Sequence, residues 1–145
     1  MDCSDSVKLL LSVPFDYTVK MAYQNNDILN TPTAKSFNTG RLNLFIENVN
    51  NKIPDCVFIT TFGIDGPAVT SILKFDGNTI SFTYDRSRYS KIPGDISSYH
   101  IKKLYTEKNK DGDNLIYTSY HVVTFDNIDF IIYTDNVFIN VKRRY

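Results

Sequence analysis

Cysteine is scarce in this chain of 145 residues. Cys3 and Cys56 are the only two, and one of them stands in a ragged N-terminal stretch, so no cysteine framework is expected and the core must suffice. Net charge is missing as well: sixteen basic and sixteen acidic side chains cancel, leaving no global field to draw in a polyanion or an anionic membrane. The basic end "VKRRY" is the exception, but three residues are not the basic face that marks a nucleic-acid-binding protein. No nucleic acid is expected as a partner. Long apolar runs are absent too. "VKLLLSV" falls short of the ~7–15 apolar residues of a signal peptide, and nothing approaches the roughly 20 of a transmembrane helix. The chain therefore reads as soluble, with a lipid anchor only where a leader has been removed.

Catalytic signatures are lacking in the same way. There is no nucleophile elbow, no glycine loop to cradle phosphate, no zinc-protease pair and no dinucleotide fingerprint. Chain order alone does not exclude a triad, yet nothing speaks for one, and no catalytic residue, metal ligand or cofactor is assigned. His100 and His121 are the only histidines. They fall on the two strands of one expected hairpin about Asp111 and Gly112, within a residue or two of directly opposite. A metal site needs three or four ligands, and the neighbourhood adds none, so they read as half-exposed strand histidines. Cys56 opens an apolar strand beside Val57 and Phe58 and reads as a packing residue.

What is present is core material. Hydrophobic residues make up 42% and charged residues 22%, with ten Phe and ten Tyr, which argues against disorder and for one domain over 1–145. Residues 1–15 have weak periodicity and read as an arm. "FDYTVKMAYQNND" predicts a short helix, with Asp16 as its N-cap and its end near Asn25 and Asn26. "DILNTPTAKSFNTG" allows only a brief strand at Ile28 and Leu29. The main helix is "TGRLNLFIENVNNKIPD": Leu42, Phe45, Ile46 and Val49 stand at i, i+3, i+4 and i+7, Asn38 or Thr39 caps the start, and Pro54 ends it.

From Cys56 onward the period changes to two. "CVFITTF", "AVTSILKF", "TISFTY", "YHIKKLYTEK", "NLIYTSYHVVTF", "DFIIYT" and "VFINV" read as strands. Asp-Gly pairs at Asp65, Asp76 and Asp111 supply tight turns, so neighbours should be antiparallel. In "TISFTY", Ile80, Phe82 and Tyr84 share one face while Thr79, Ser81 and Thr83 take the other, which predicts a sheet buried on one side and wetted on the other. The expected fold class is α+β: one main amphipathic helix and a short N-terminal helix on one face of an antiparallel, hairpin-connected sheet of about five to seven strands.

The stretch "YDRSRY" is the candidate site. In one reading Asp85 orders the turn and pairs with Arg86 or Arg88. In the other, Arg86 and Arg88, with the backbone of the following loop, bind a carboxylate or phosphate on a partner. Tyr84, Asp85, Arg86 and Arg88 are the candidate binding residues under that second reading. Tyr99, Tyr105, Tyr117, Tyr120 and Tyr133 populate the late strands, where an aromatic ring with a polar tip suits a half-wet sheet or a binding face.

"AYQNNDILN", "RLNLFIENVNNK" and "FDGNTISFTYDRSR" together resemble a domain-of-unknown-function family of small bacterial proteins, common among Gram-positive lineages and often predicted lipoproteins. The first resembles that family's Asn-Gly-Asp-Val-Val stretch, the second its central helix, and the third its Tyr-Asp-Gly then Tyr-Asp-x-x-Arg hairpin. The resemblance spans about Ala22 to Leu104 and places Tyr84, Asp85 and Arg88 on the signature. Relatives often carry a cysteine on each of the two strands after that loop, where this chain has none, so that disulfide is excluded. Cys3 follows Met-Asp and lacks the small apolar residues of a lipid-attachment site. The resemblance implies a noncatalytic role at the cell envelope or its outer face, whereas a native start at Met1 implies the cytoplasm. The leading expectation is thus a noncatalytic interaction domain for a protein or peptide, met at the sheet face or the loop from Tyr84 to Gly94. The alternatives are a small-ligand binder or enzyme, marked by a deep pocket, and an immunity or inhibitor protein, marked by a flat acidic or aromatic face.

Overall fold

The computed structural model describes residues 3–31, 36–63 and 66–138. The N-terminal part holds two short helices, α1 (Ser6–Leu11) and α2 (Val19–Gln24), then the strands β1 (Ile28–Asn30) and β2 (Ser36–Phe37). Helix α3 (Thr39–Asn50) follows, and after it β3 (Asp55–Phe62), β4 (Ala68–Phe75) and β5 (Ile80–Asp85). A single turn, α4 (Ser87–Ser90), leads into β6 (Ile96–Asp111), β7 (Leu115–Thr124) and β8 (Asp129–Phe138). All eight strands form one sheet in the order β2-β1-β3-β4-β5-β6-β7-β8. Every pairing is antiparallel except β1 with β3.

Turn chemistry accounts for the hairpins. Gly77 and Gly112 adopt positive φ (99° and 65°), which a residue with Cβ resists. Asp76 Oδ1 accepts from the backbone N–H of Asn78 and Thr79 at 2.8 and 2.7 Å and closes the β4–β5 turn. Asp65 lies outside the described residues, as does the basic end. "DFIIYT" and the start of "VFINV" form one strand, β8, and the remaining residues 139–141 also lie outside.

The sheet curls into a half-barrel. Bulges between Ile101 and Lys103 and between Tyr120 and His121 bend β6 through β8, as an extra residue does. The inner face carries the core. Val57, Leu73, Phe82 and Tyr99 stand opposite one another on successive strands, and Leu42, Phe45, Ile46 and Val49 of α3 pack into the same cluster. Across the seam of the curl, Asn30 Nδ2 donates to the Thr134 carbonyl at 2.7 Å, and the Thr134 N–H donates to Asn30 Oδ1 at 3.1 Å. Ser36 Oγ donates to Asp135 Oδ1 at 2.6 Å beside it.

The expected fold class is therefore corrected. The molecule is built on an eight-stranded curled sheet with a few small helices, instead of a main helix laid on five to seven strands. The curl lets the inner face bury much of itself, so a twelve-residue helix covers most of the remainder. The central strands are also buried on both faces: Thr60, Thr70, Thr83 and Asp85, on the expected wet side, are all buried. Their cover is the N-terminal segment, where α1 lies over β4 and β5 and Leu10 is fully buried. Burying one such side chain is worth on the order of 2 kcal/mol.

Two further expectations change. α2 starts later than the sequence reads, because Thr18 and not Asp16 is the N-cap, accepting from Met21 N at 3.1 Å. Cys3 and Cys56 form a disulfide, with Cα atoms 6.4 Å apart, which ties the N-terminal segment to the start of β3. Chain separation hid the pair: 53 positions apart, the two are brought together only when the segment folds back across the outer face.

Candidate functional site

The strand alternation that places Phe82 and Tyr84 on the inner face places Thr83 and Asp85 on the outer one. The four candidate residues of "YDRSRY" are accordingly divided between two surfaces. Asp85 and Arg88 are each 3% exposed, with the Arg88 guanidinium 3.6 Å from the carboxylate. Asp85 Oδ1 also accepts from Ser87 N at 2.8 Å, which shapes the turn into α4. Arg88 donates to the carbonyls of Val13 (3.1 Å) and Pro14 (3.0 Å), so it clamps the N-terminal segment onto the sheet. All of these are internal contacts.

Tyr84 and Arg86 belong to the inner side. With Phe82 and Phe130 they line a cavity of about 380 Å³ at the end of the curl that α3 leaves uncovered, between β3–β5 and the start of β8. Val69, Ile131 and Ile132 add aliphatic wall, and Thr61 and Ser71 add hydroxyls. The aromatic side is continuous: Tyr84 stacks on Tyr99 (6.2 Å between centroids, 8° between planes), and Phe130 lies 6.1 Å from both Phe82 and Tyr84. The Tyr99 hydroxyl is held above its ordinary pKa, first by hydrogen bonding to Tyr84, with the nearby Arg86 charge acting the other way. Arg86 is exposed, and among the described residues its guanidinium has no hydrogen-bond or ion-pair partner. It is the one ionised side chain among the cavity's lining residues.

Two other polar clusters are internally satisfied. On the outer face Asp27 accepts from Tyr17 Oη (2.7 Å), Thr60 Oγ1 (2.8 Å) and Asn25 Nδ2 (2.7 Å), and burial raises its pKa against these bonds. A wider recess, about 830 Å³, is lined by the disulfide and by Arg41 and Asp55, which are already paired with each other at 2.8 and 2.5 Å.

The histidines are not opposite one another. Tyr105 faces His121, while His100 pairs with Ser81, because Asp111 pairs with Leu115 and the turn is centred on Asp113, later in the chain than the Asp-Gly pair. His100 is exposed; His121 is buried, stacked on Tyr105, with Nδ1 2.8 Å from Asp129 Oδ1. Tyr105 Oη donates to the other Asp129 oxygen, which pushes the Tyr105 pKa up to about 12. Among the described residues no three His, Cys, Asp or Glu side chains are placed to hold a metal ion. Of the late-strand tyrosines, Tyr120 and Tyr133 are core residues, with hydroxyls bonded to Asn43 (2.6 Å) and Thr39 (2.7 Å) of α3.

The sequence alone did not reveal Phe130, Ile131 and Ile132, which come from 44 or more positions beyond Arg86 to form the opposite wall. Phe82 carried a signal, since it shares a strand face with Tyr84. No family model, no curated protein and no solved structure matches this chain. Among the described residues no helix is long and apolar enough to cross a membrane.

Proposed function

We propose that this protein is a noncatalytic binding domain that takes an apolar side chain of a protein or peptide partner into the Phe82–Tyr84–Phe130 cavity and pairs Arg86 with a carboxylate beside it. The observation that carries this reading is a guanidinium that has no hydrogen-bond or ion-pair partner among the described residues, at the rim of an aromatic recess. Apolar walls favour burial of an aromatic or aliphatic group, and a planar Arg fork favours a carboxylate. The absence of His, Cys, Asp and Glu from the lining supports binding over catalysis. The Cys3–Cys56 disulfide supports an oxidising compartment, in keeping with an address at the cell envelope or its outer face. The recessed shape of the aromatic surface speaks for this reading over an immunity protein with a flat face.

A small-ligand reading is favoured by one observation, the cavity's volume, which lies within the range of ~300–1,000 Å³ usual for small-molecule sites. Its ligand would be an aromatic or aliphatic acid. Panning a random peptide display library on the intact protein separates the two. The expected result is enrichment of peptides with an aromatic or large aliphatic residue close to Asp, Glu or a free C-terminal carboxylate, with binding lost in Arg86→Gln and Tyr84→Ala. Enrichment of nothing, or of peptides indifferent to both substitutions, would overturn the proposal.

A further inference from the structure

We infer that the bound segment is an extended strand that adds to the outer edge of β8 and so continues the sheet across its open seam. This rests on the reading of the cavity as the binding site. β8 ends the strand order, so among the described residues no strand lies beyond it. An edge of this kind presents backbone N–H and C=O groups that demand partners.

At Thr134 the molecule already satisfies that demand with a substitute. The Asn30 carboxamide gives a hydrogen bond to the Thr134 carbonyl and takes one from the Thr134 N–H, at 2.7 and 3.1 Å. Those two bonds are the pair that a residue of a neighbouring strand would make. The edge is thus competent for pairing, and a side chain from β1 stands where a ninth strand would run.

Toward the beginning of β8 the substitute runs out. Phe130, Ile131 and Ile132 line the cavity instead, with Thr61 and Val69 on its far side, and Ile131 is 62% exposed at the rim. An extended segment entering there would alternate its side chains with a period of two. One set would drop toward Phe82 and Tyr84 while the backbone faced β8. The charge agrees with this occupant, since Arg86 at the rim is cationic and no carboxylate among the lining residues opposes an incoming acidic group. A helical partner would present its side chains but no free backbone groups, and would leave the edge of β8 unsatisfied.

Two measurements on the peptides from the display selection test the inference. In the first, each backbone nitrogen is methylated in turn. The expected result is a loss of about tenfold or more at alternate positions and little change between them, because only alternate N–H groups face β8. In the second, amide hydrogen exchange of the intact protein is followed with and without peptide. New protection is expected at those amides of residues 130–133 that face away from β7, with the Thr134 amide, already bonded to Asn30, changing least.

Binding that depends on Tyr84 and Arg86 but shows no alternation and no protection along β8 would overturn the added strand and leave the cavity reading intact. Peptides indifferent to Tyr84→Ala and Arg86→Gln, or no peptides at all, would remove both.

Discussion

Arg86 and Arg88 are two positions apart and do different work. Arg88 is enclosed, pairs with Asp85 and holds two backbone carbonyls of the N-terminal segment. Arg86 is exposed and has no partner for its guanidinium among the described residues. Arg88→Met removes the charge opposite a buried Asp85 and should cost about 3–5 kcal/mol, the range for breaking a buried pair. Arg86→Gln touches no internal contact and should stay within about 0.5 kcal/mol of the parent. Urea unfolding of both variants measures the difference; similar losses would mean that Arg86 also holds the fold together. Both residues were legible as a cationic cluster, but their division was not. Strand alternation puts Tyr84 and Asp85 on opposite faces, and only the packing of the N-terminal segment turns the Asp85 face into an interior.

At the scale of elements, the union of α3 with β3 has a pH signature. Arg41 of α3 and Asp55 of β3 form a two-pronged pair, and Asn48 Nδ2 donates to the same carboxylate at 3.0 Å. Burial alone pushes the Asp55 pKa up, but the Arg41 and Asn48 bonds and the Arg41 charge outweigh it and hold it below the ordinary carboxylate value. A lowered folded-state pKa contributes stability that is present above the unfolded value of about 3.9 and is lost as the pH falls through the folded one. In Arg41→Gln the guanidinium's hydrogen bonds and charge are gone, and with them the largest cause that holds Asp55 down. The stability difference between parent and variant should therefore be widest near neutral pH and should shrink as the pH drops from about 4 toward 2. Asp27, whose raised pKa works in the opposite sense, cancels because both proteins carry it. Urea titrations from neutral to acid pH provide the check, and a difference that does not vary with pH would disprove the linkage. The helix itself was readable from Leu42, Phe45, Ile46 and Val49, as were the β4–β5 and β6–β7 hairpins from Asp76-Gly77 and Asp111-Gly112. The His100–His121 register was not, because the β6–β7 turn is centred on Asp113 and not on the Asp111-Gly112 pair, and each residue of difference in the turn slides every opposing pair.

Among the long-range closures of the molecule are the Asn30–Thr134 seam and the Cys3–Cys56 bridge. The bridge closes a loop spanning 53 positions, for which chain entropy gives roughly 4 kcal/mol of stabilisation. Cys3→Ser should lose about that much and become indifferent to reductant, while the parent should fall to the variant's stability in dithiothreitol. An unfolding midpoint that does not move on reduction would contradict this. The N-terminal segment should respond first, since the bridge and the Arg88 clamp both fasten it to the outer face. The cavity is likewise a property of the whole: Tyr84 and Phe130 become neighbours only because the sheet curls far enough to bring β8 round to β5.

Local sequence determined where strands turn, which residues share a strand face and which stripe of α3 seeks cover, because steric preference and side-chain period act over a few positions. Tertiary structure decided the number of strands in the sheet, the parallel β1–β3 pair, the disulfide and the meeting of Tyr84 with Phe130. Each of these depends on curvature summed over many strands and on contacts between distant segments, and neither quantity is written in any single stretch of the chain.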